Sequence, residues 1–145
     1  EVIFNDGLQK IGYGAFCGCS PLESVTLPST LVEINHRAFE NCRNLREVTL
    51  KDGLQKIGEA VFCNCASLEN IKLPPTLVGI GRYAFDSCCN LREVELNGVP
   101  QHINSIAFHN CHALERILFP TMSSRLENII QTNHWEELVD KVNQV

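Results

Sequence analysis

Leu31-Val32-Glu33-Ile34-Asn35-His36-Arg37-Ala38-Phe39-Glu40-Asn41-Cys42-Arg43-Asn44-Leu45-Arg46-Glu47-Val48-Thr49-Leu50 decides the fold, because its apolar skeleton returns every 23 residues along the chain. Phe39 belongs to the series Phe16, Phe39, Phe62, Phe85 and Phe108. Three places on run Cys19, Cys42, Cys65, Cys88 and Cys111, and three further Leu22, Leu45, Leu68, Leu91 and Leu114. Then come Val25, Val48, Ile71, Val94 and Ile117, followed two places later by Leu27, Leu50, Leu73, Leu96 and Phe119. Upstream of each Phe sits a small residue: Ala15, Ala38, Val61, Ala84 and Ala107. Before it stands Ile11, Ile34, Ile57, Ile80 or Ile103, and before that Leu8, Leu31, Leu54 or Leu77, with Pro100 breaking the last series.

A unit of this length cannot bury its apolar side alone; stacking successive units builds one continuous core. Val25 and Leu27, two apart, point the same way on a short strand, and equivalent strands should align in parallel about 4.8 Å apart. Gly-rich and Pro-rich turns close each coil. The Ala-Phe-x-x-Cys segment is too short for a long helix and predicts one tight helical turn with Phe and Cys inward. A longer period of 46 is superimposed: Asp6-Gly7-Leu8-Gln9-Lys10-Ile11-Gly12 recurs unchanged from Asp52 to Gly58. This alternation reads as duplication of a two-repeat unit.

The pattern from Leu31 to Leu50 resembles the BspA-type leucine-rich repeat, over roughly residues 2–120. The resemblance implies a curved solenoid with its strands on the concave side, and it implies protein recognition, often in cell-surface adhesion. The expected class is therefore an α/β repeat solenoid of about five repeats. Short parallel strands would line the concave face of a leucine-rich-repeat arc, with one-turn helices or loops on the convex face. Pro100-Gln101-His102 departs from the family's Leu-x-x and predicts a distorted last coil.

The repeat ends at Phe119-Pro120, which divides the chain into a solenoid at 1–120 and a tail at 121–145. Ser124-Arg125-Leu126-Glu127 has capping-box spacing, and Trp135, Leu138, Val139 and Val142 form a helical stripe. The tail is expected to be a helical C-terminal cap; the rival is an amphipathic helix for a membrane or partner. Val2 and Phe4 fall in the Val25 and Leu27 columns, so the N-terminal rung is expected to be covered by further repeats or by a partner.

Composition narrows the function. A net charge of −5 with no basic stripe argues against nucleic acid, and no apolar run is long enough for membrane insertion. No phosphate loop, HExxH or GxSxG occurs. Of the eight cysteines, five occupy the core column and read as buried free thiols. Cys88, Cys89, His109, Cys111 and His112 lack the CxxC pair that would make a zinc site specific. Cys63, Asp86 and His109 stack on successive rungs, but the acid lies between nucleophile and base, the wrong order for a triad. The expectation is thus no catalytic residue, no metal and no cofactor.

Strand positions that alternate with the core should face outward. The candidate surface is Ser24, Thr26, Glu47, Thr49, Lys51, Asn70, Lys72, Glu93, Glu95 and Arg116. These columns vary while the core does not, as a recognition surface on a fixed scaffold requires. The expected function is a non-catalytic module for binding another protein within a longer repeat protein. The alternatives are a secreted or cell-surface adhesin and a structural subunit of a larger assembly. The lack of any Asn-x-Ser/Thr acceptor leans the location toward the cell interior.

Overall fold

The computed structural model describes residues 1–119. The chain climbs in coils, each contributing two short parallel strands. One series is β1 (Val2–Ile3), β3 (Ser24–Thr26), β5 (Glu47–Thr49), β7 (Asn70–Leu73), β9 (Glu93–Leu96) and β11 (Arg116–Leu118). The other is β2 (Lys10–Ile11), β4 (Glu33–Ile34), β6 (Lys56–Ile57), β8 (Gly79–Ile80) and β10 (His102–Ile103). The register follows the 23-residue period throughout: Val25 pairs with Val48, Ile34 with Ile57 and Ile71 with Val94.

The second series forms one continuous five-stranded sheet. The Ile column announced its inward side, but a separate sheet was not expected from it. A two-residue strand such as Lys10–Ile11 shows a single polar–apolar step, too little for a period to be recognised.

No helix occurs among the described residues, and the one-turn helices expected around Ala-Phe-x-x-Cys are replaced by consecutive turns. Backbone hydrogen bonding shows why. Cys17 and Cys19 donate three residues back, to Gly14 O and Phe16 O. Gly14, Phe16 and Gly18 instead donate to His36 O, Ala38 O and Glu40 O on the next rung. The alternation repeats one coil up, where Arg37, Phe39 and Asn41 donate to Glu59, Val61 and Cys63. A helix would spend every N–H within its own segment; here every second one ties two coils together. The cost is a left-handed backbone at Gly14, Gly18, Arg37 and Asn41, with φ between 59° and 72°, which Gly and Asn adopt most readily. The α component of the expected class is therefore absent from residues 1–119, and the expected helical cap at 121–145 lies outside the described residues.

The core is the set of columns already named. Phe39, Phe62, Phe85, Leu45, Leu68 and Leu91 are fully buried, and no polar or charged residue is buried among the described residues. The Phe rings stack in an offset ladder from Phe16 to Phe108, with centroids 5.0–5.5 Å apart. Each such contact contributes about 0.5–1.5 kcal/mol beyond the area it buries. The distortion expected at Pro100 does not reach the pairing: Pro100 is buried in the Leu slot, and His102 and Ile103 keep register with Gly79 and Ile80. What the coil forgoes is the turn bond that Leu31, Leu54 and Leu77 donate to Pro28, Lys51 and Pro74, because proline has no N–H.

Candidate binding surface

All ten candidate residues lie on one side of the first strand series or just beyond it. Val25, Val48, Ile71 and Val94 point inward and are at most 8% exposed, so strand alternation sends their neighbours outward. Ser24 pairs with Glu47, Thr26 with Thr49, Asn70 with Glu93, and Lys72 with Glu95. Arg116 joins Glu93 from the following rung. Lys51 is exposed but falls in the turn after β5.

Charge on this face is organised at one end. Arg116 Nη2 lies 2.6 Å from Glu93 Oε2, and Lys72 Nζ lies 3.6 Å from Glu95 Oε2. The cations are mostly solvated, so each pair contributes no more than about 1 kcal/mol. They occupy the outward columns of β7, β9 and β11, whereas β3 and β5 present Ser24, Thr26, Glu47 and Thr49 without a partner of opposite charge in those columns.

Between these halves the sheet divides. β1, β3 and β5 form one three-stranded ladder and β7, β9 and β11 another, with no ladder hydrogen bonds joining β5 to β7. The coils remain attached at that level elsewhere: β4 pairs with β6, Phe39 N–H donates to Val61 O at 2.9 Å, and Phe39 stacks on Phe62. A cleft of about 870 Å³ opens along the division, lined by Glu47, Thr49, Asn70 and Lys72 together with Arg46, Ser67, Glu69 and Asn90. Four of the ten candidate residues thus meet at one feature. Arg46, Ser67, Glu69 and Asn90 were missed, because they lie before the strands, where the 23-residue pattern marks no face.

The residues considered for chemistry are placed otherwise. Cys63 Sγ is 3.8 Å from Asp86 Oδ2, and Asp86 Oδ1 is 3.1 Å from His109 Nδ1 and 3.2 Å from Asn110 Nδ2. The carboxylate therefore sits between thiol and imidazole. Burial, reinforced by the Asp86 charge, pushes the Cys63 thiol up to about 11, the opposite of what activates a nucleophile. Cys88 is buried with its Sγ on Phe62 O, whereas Cys89 is exposed with its Sγ on Ser87 O. Among the described residues no three His, Cys, Asp or Glu side chains are grouped to hold a metal ion, and no helix is long and apolar enough to cross a membrane.

A coiled stack of parallel strands with an outward-facing variable column defines a repeat solenoid of the leucine-rich class. Comparison with known proteins narrows this. The sequence profile described as the BspA type leucine rich repeat region matches residues 1–115 in six copies, one more than the five full repeats counted. The chain belongs to the BspA-type leucine-rich repeat family.

Among solved structures, the leucine-rich repeat protein of T. pallidum is 35% identical, with a TM-score of 0.74, over 80% of this chain and 56% of that one. A leucine-rich cell surface protein of Faecalibacterium prausnitzii is 30% identical, with a TM-score of 0.81, over 89% of this chain and 34% of that one. The pneumococcal vaccine antigen PcpA is 16% identical, with a TM-score of 0.73, over 91% of this chain and 38% of that one, a likeness of fold alone. The chain thus spans little more than half of the first relative and about a third of the others. No curated protein matches it.

Proposed function

We propose that this chain is a non-catalytic recognition module that binds another protein through the outward face of β3, β5, β7, β9 and β11, centred on the cleft between β5 and β7. The observation that carries the reading is the convergence of Glu47, Thr49, Asn70 and Lys72 on that cleft. The cleft is open, lined by both signs of charge alongside apolar strand atoms, and it offers strand edges whose ladder is interrupted. These features suit a protein surface, with its side-chain and backbone hydrogen bonds, better than a small apolar ligand.

The setting favoured by the relatives is the cell surface. The Faecalibacterium prausnitzii protein, which shares 30% identity over most of this chain, is described as a cell surface protein. We infer display at the surface, rather than the interior toward which the sequence leaned, as part of a longer repeat array.

A photocrosslinking amino acid at Thr49 tests the binding face, with the same group at Arg37, exposed on the turn segment outside both strand series, as control. Partner protein crosslinked from Thr49 and not from Arg37 supports the reading. Equal crosslinking from both positions, or adducts from Arg37 alone, overturns it.

A further inference from the structure

The second sheet presents its own outward column: Lys10, Glu33, Lys56, Gly79 and His102. Only Gly79 lacks a side chain there. Two nearby glycines are explained by close packing of the coils. A Cβ on Gly58 would lie 2.9 Å from His36 Nδ1 and 3.0 Å from His36 N, and one on Gly81 would lie 2.7 Å from Gly58 C. Gly79 has no such reason, since a Cβ there would meet nothing nearer than His102 O at 3.8 Å and its φ is not left-handed. Glycine inside a strand gives up stability, and this one, with Gly58 and Gly81, lines a hollow of about 500 Å³.

The hollow has an apolar floor and a rim of donors. Val78, 40% exposed, borders the gap left by Gly79. Lys56, Arg82, His36 and His102 surround it, with Glu59 the one carboxylate among the lining residues. Arg82 is braced on Tyr83, its guanidinium 4.7 Å from the ring centroid and its Nη2 3.1 Å from the hydroxyl. His36 Nδ1 accepts the Glu59 N–H at 2.8 Å, which places the ring proton on Nε2 as a donor. Lys56 also reaches Glu33 at 3.6 Å, yet the nearer cation for that carboxylate is Lys10 at 3.0 Å. The Lys10 hydrogen bond, with a smaller contribution from the Lys56 charge, holds the Glu33 carboxyl below the usual carboxylate range. Lys56 and Arg82 against Glu59 leave the lining locally positive although the whole chain carries −5, which makes this patch complementary to an anionic partner.

We propose that the face over Gly79 is a second binding site, which takes an extended acidic peptide segment with an apolar side chain in the hollow and flanking carboxylates on Lys56, Arg82 and the histidines. Alternation of carboxylate and apolar residues matches the two-residue repeat of an extended chain laid on a sheet. The site does not depend on the cleft between β5 and β7.

The test is a titration of the isotopically labelled chain, followed by amide chemical shifts, with blocked Glu-Val-Glu-Val-Glu and Lys-Val-Lys-Val-Lys peptides. The acidic peptide is expected to give saturable shifts confined to amides around Lys56, Gly79, Arg82 and His102, weakening with salt. Gly79→Val should narrow the hollow at its floor and weaken binding by roughly tenfold or more while the melting temperature holds or rises. Arg82→Ala should weaken it with the fold unchanged. No saturable shift, an equal response to the lysine peptide, shifts centred on the β5–β7 cleft, or full binding by Gly79→Val would each overturn the site.

Discussion

Cys42 Sγ lies 3.1 Å from the carbonyl oxygen of Phe16, 26 residues earlier and one coil below. The same contact recurs from Cys65 to Phe39, Cys88 to Phe62 and Cys111 to Phe85, at 3.0–3.3 Å. Each of these Phe carbonyls also accepts the amide of the Cys three residues on. The cysteine column thus serves two ends: a small apolar filler beside the Phe ladder, and a weak donor to a carbonyl that the coil's own turn leaves with a second lone pair.

Removing the thiol at a buried rung should therefore cost both packing and a donor. Cys65→Ala is expected to lower stability by about 1–3 kcal/mol in urea unfolding. Cys89→Ala, at an exposed position, should change it by less than about 0.5 kcal/mol. Equal effects at the two positions would show that the column thiols are not core residues.

Alkaline pH should weaken the stack. Burial pushes Cys42 and Cys63 up to about 11 from an ordinary value of 9.0, and raises Cys65 and Cys88 well above it. Between these limits the unfolded chain sheds its thiol protons while the folded chain keeps them, so rising pH favours the unfolded state. Stability should be level below about pH 9 and fall above it, by on the order of 1 kcal/mol per thiol for each pH unit. Urea unfolding under reducing conditions at about pH 8 and about pH 10.5 measures this; identical midpoints would contradict the thiol burial.

The Phe ladder should transmit damage in both directions. Phe62 stacks on Phe39 at 5.5 Å and on Phe85 at 5.4 Å. Phe62→Ala is expected to cost about 3–5 kcal/mol and to raise amide exchange on the coils above and below. Exchange confined to the substituted coil would mean that the rungs stack independently.

Three glycines in one neighbourhood should respond differently to one methyl group. Gly81→Ala drives a Cβ into the backbone of Gly58 and Glu59, and Gly58→Ala into His36, at about 1–3 kcal/mol each. Gly79→Ala has room and should be neutral or stabilising by up to about 1 kcal/mol. Thermal unfolding of the three variants distinguishes them. A destabilised Gly79→Ala would mean that the strand requires glycine there, and would remove the reason to assign that position to binding.

Register was legible in advance because eight columns carry like apolar residues from Leu8 to Phe119, and inward strand positions such as Val25 and Ile71 could be read from alternation alone. The turn segments were misread as helical because Phe and Cys at i and i+3 fit either conformation. The discriminating signal lay in the column Gly18, Asn41, Asn64, Ser87 and Asn110, where every residue but Ser87 is of a type that accepts the positive φ observed there. The cleft was not legible at all. Glu47 and Asn70, which flank it, differ in no local respect from Ser24 or Glu93, and whether two neighbouring strands exchange hydrogen bonds is set by the approach of two backbones.

The exchange of alternate N–H groups between coils also governs the gross shape that a longer array of such repeats would take. A ring of helices about 10 Å across on one side would splay each coil against strands spaced about 4.8 Å apart and bend the array into a horseshoe. Here the turn segments are hydrogen-bonded coil to coil as the strands are, and the Phe rings they send into the core repeat every 5.0–5.5 Å, nearly the strand spacing itself. Added repeats would therefore lengthen such a protein far more than they would curl it, so that copy number sets how far it reaches.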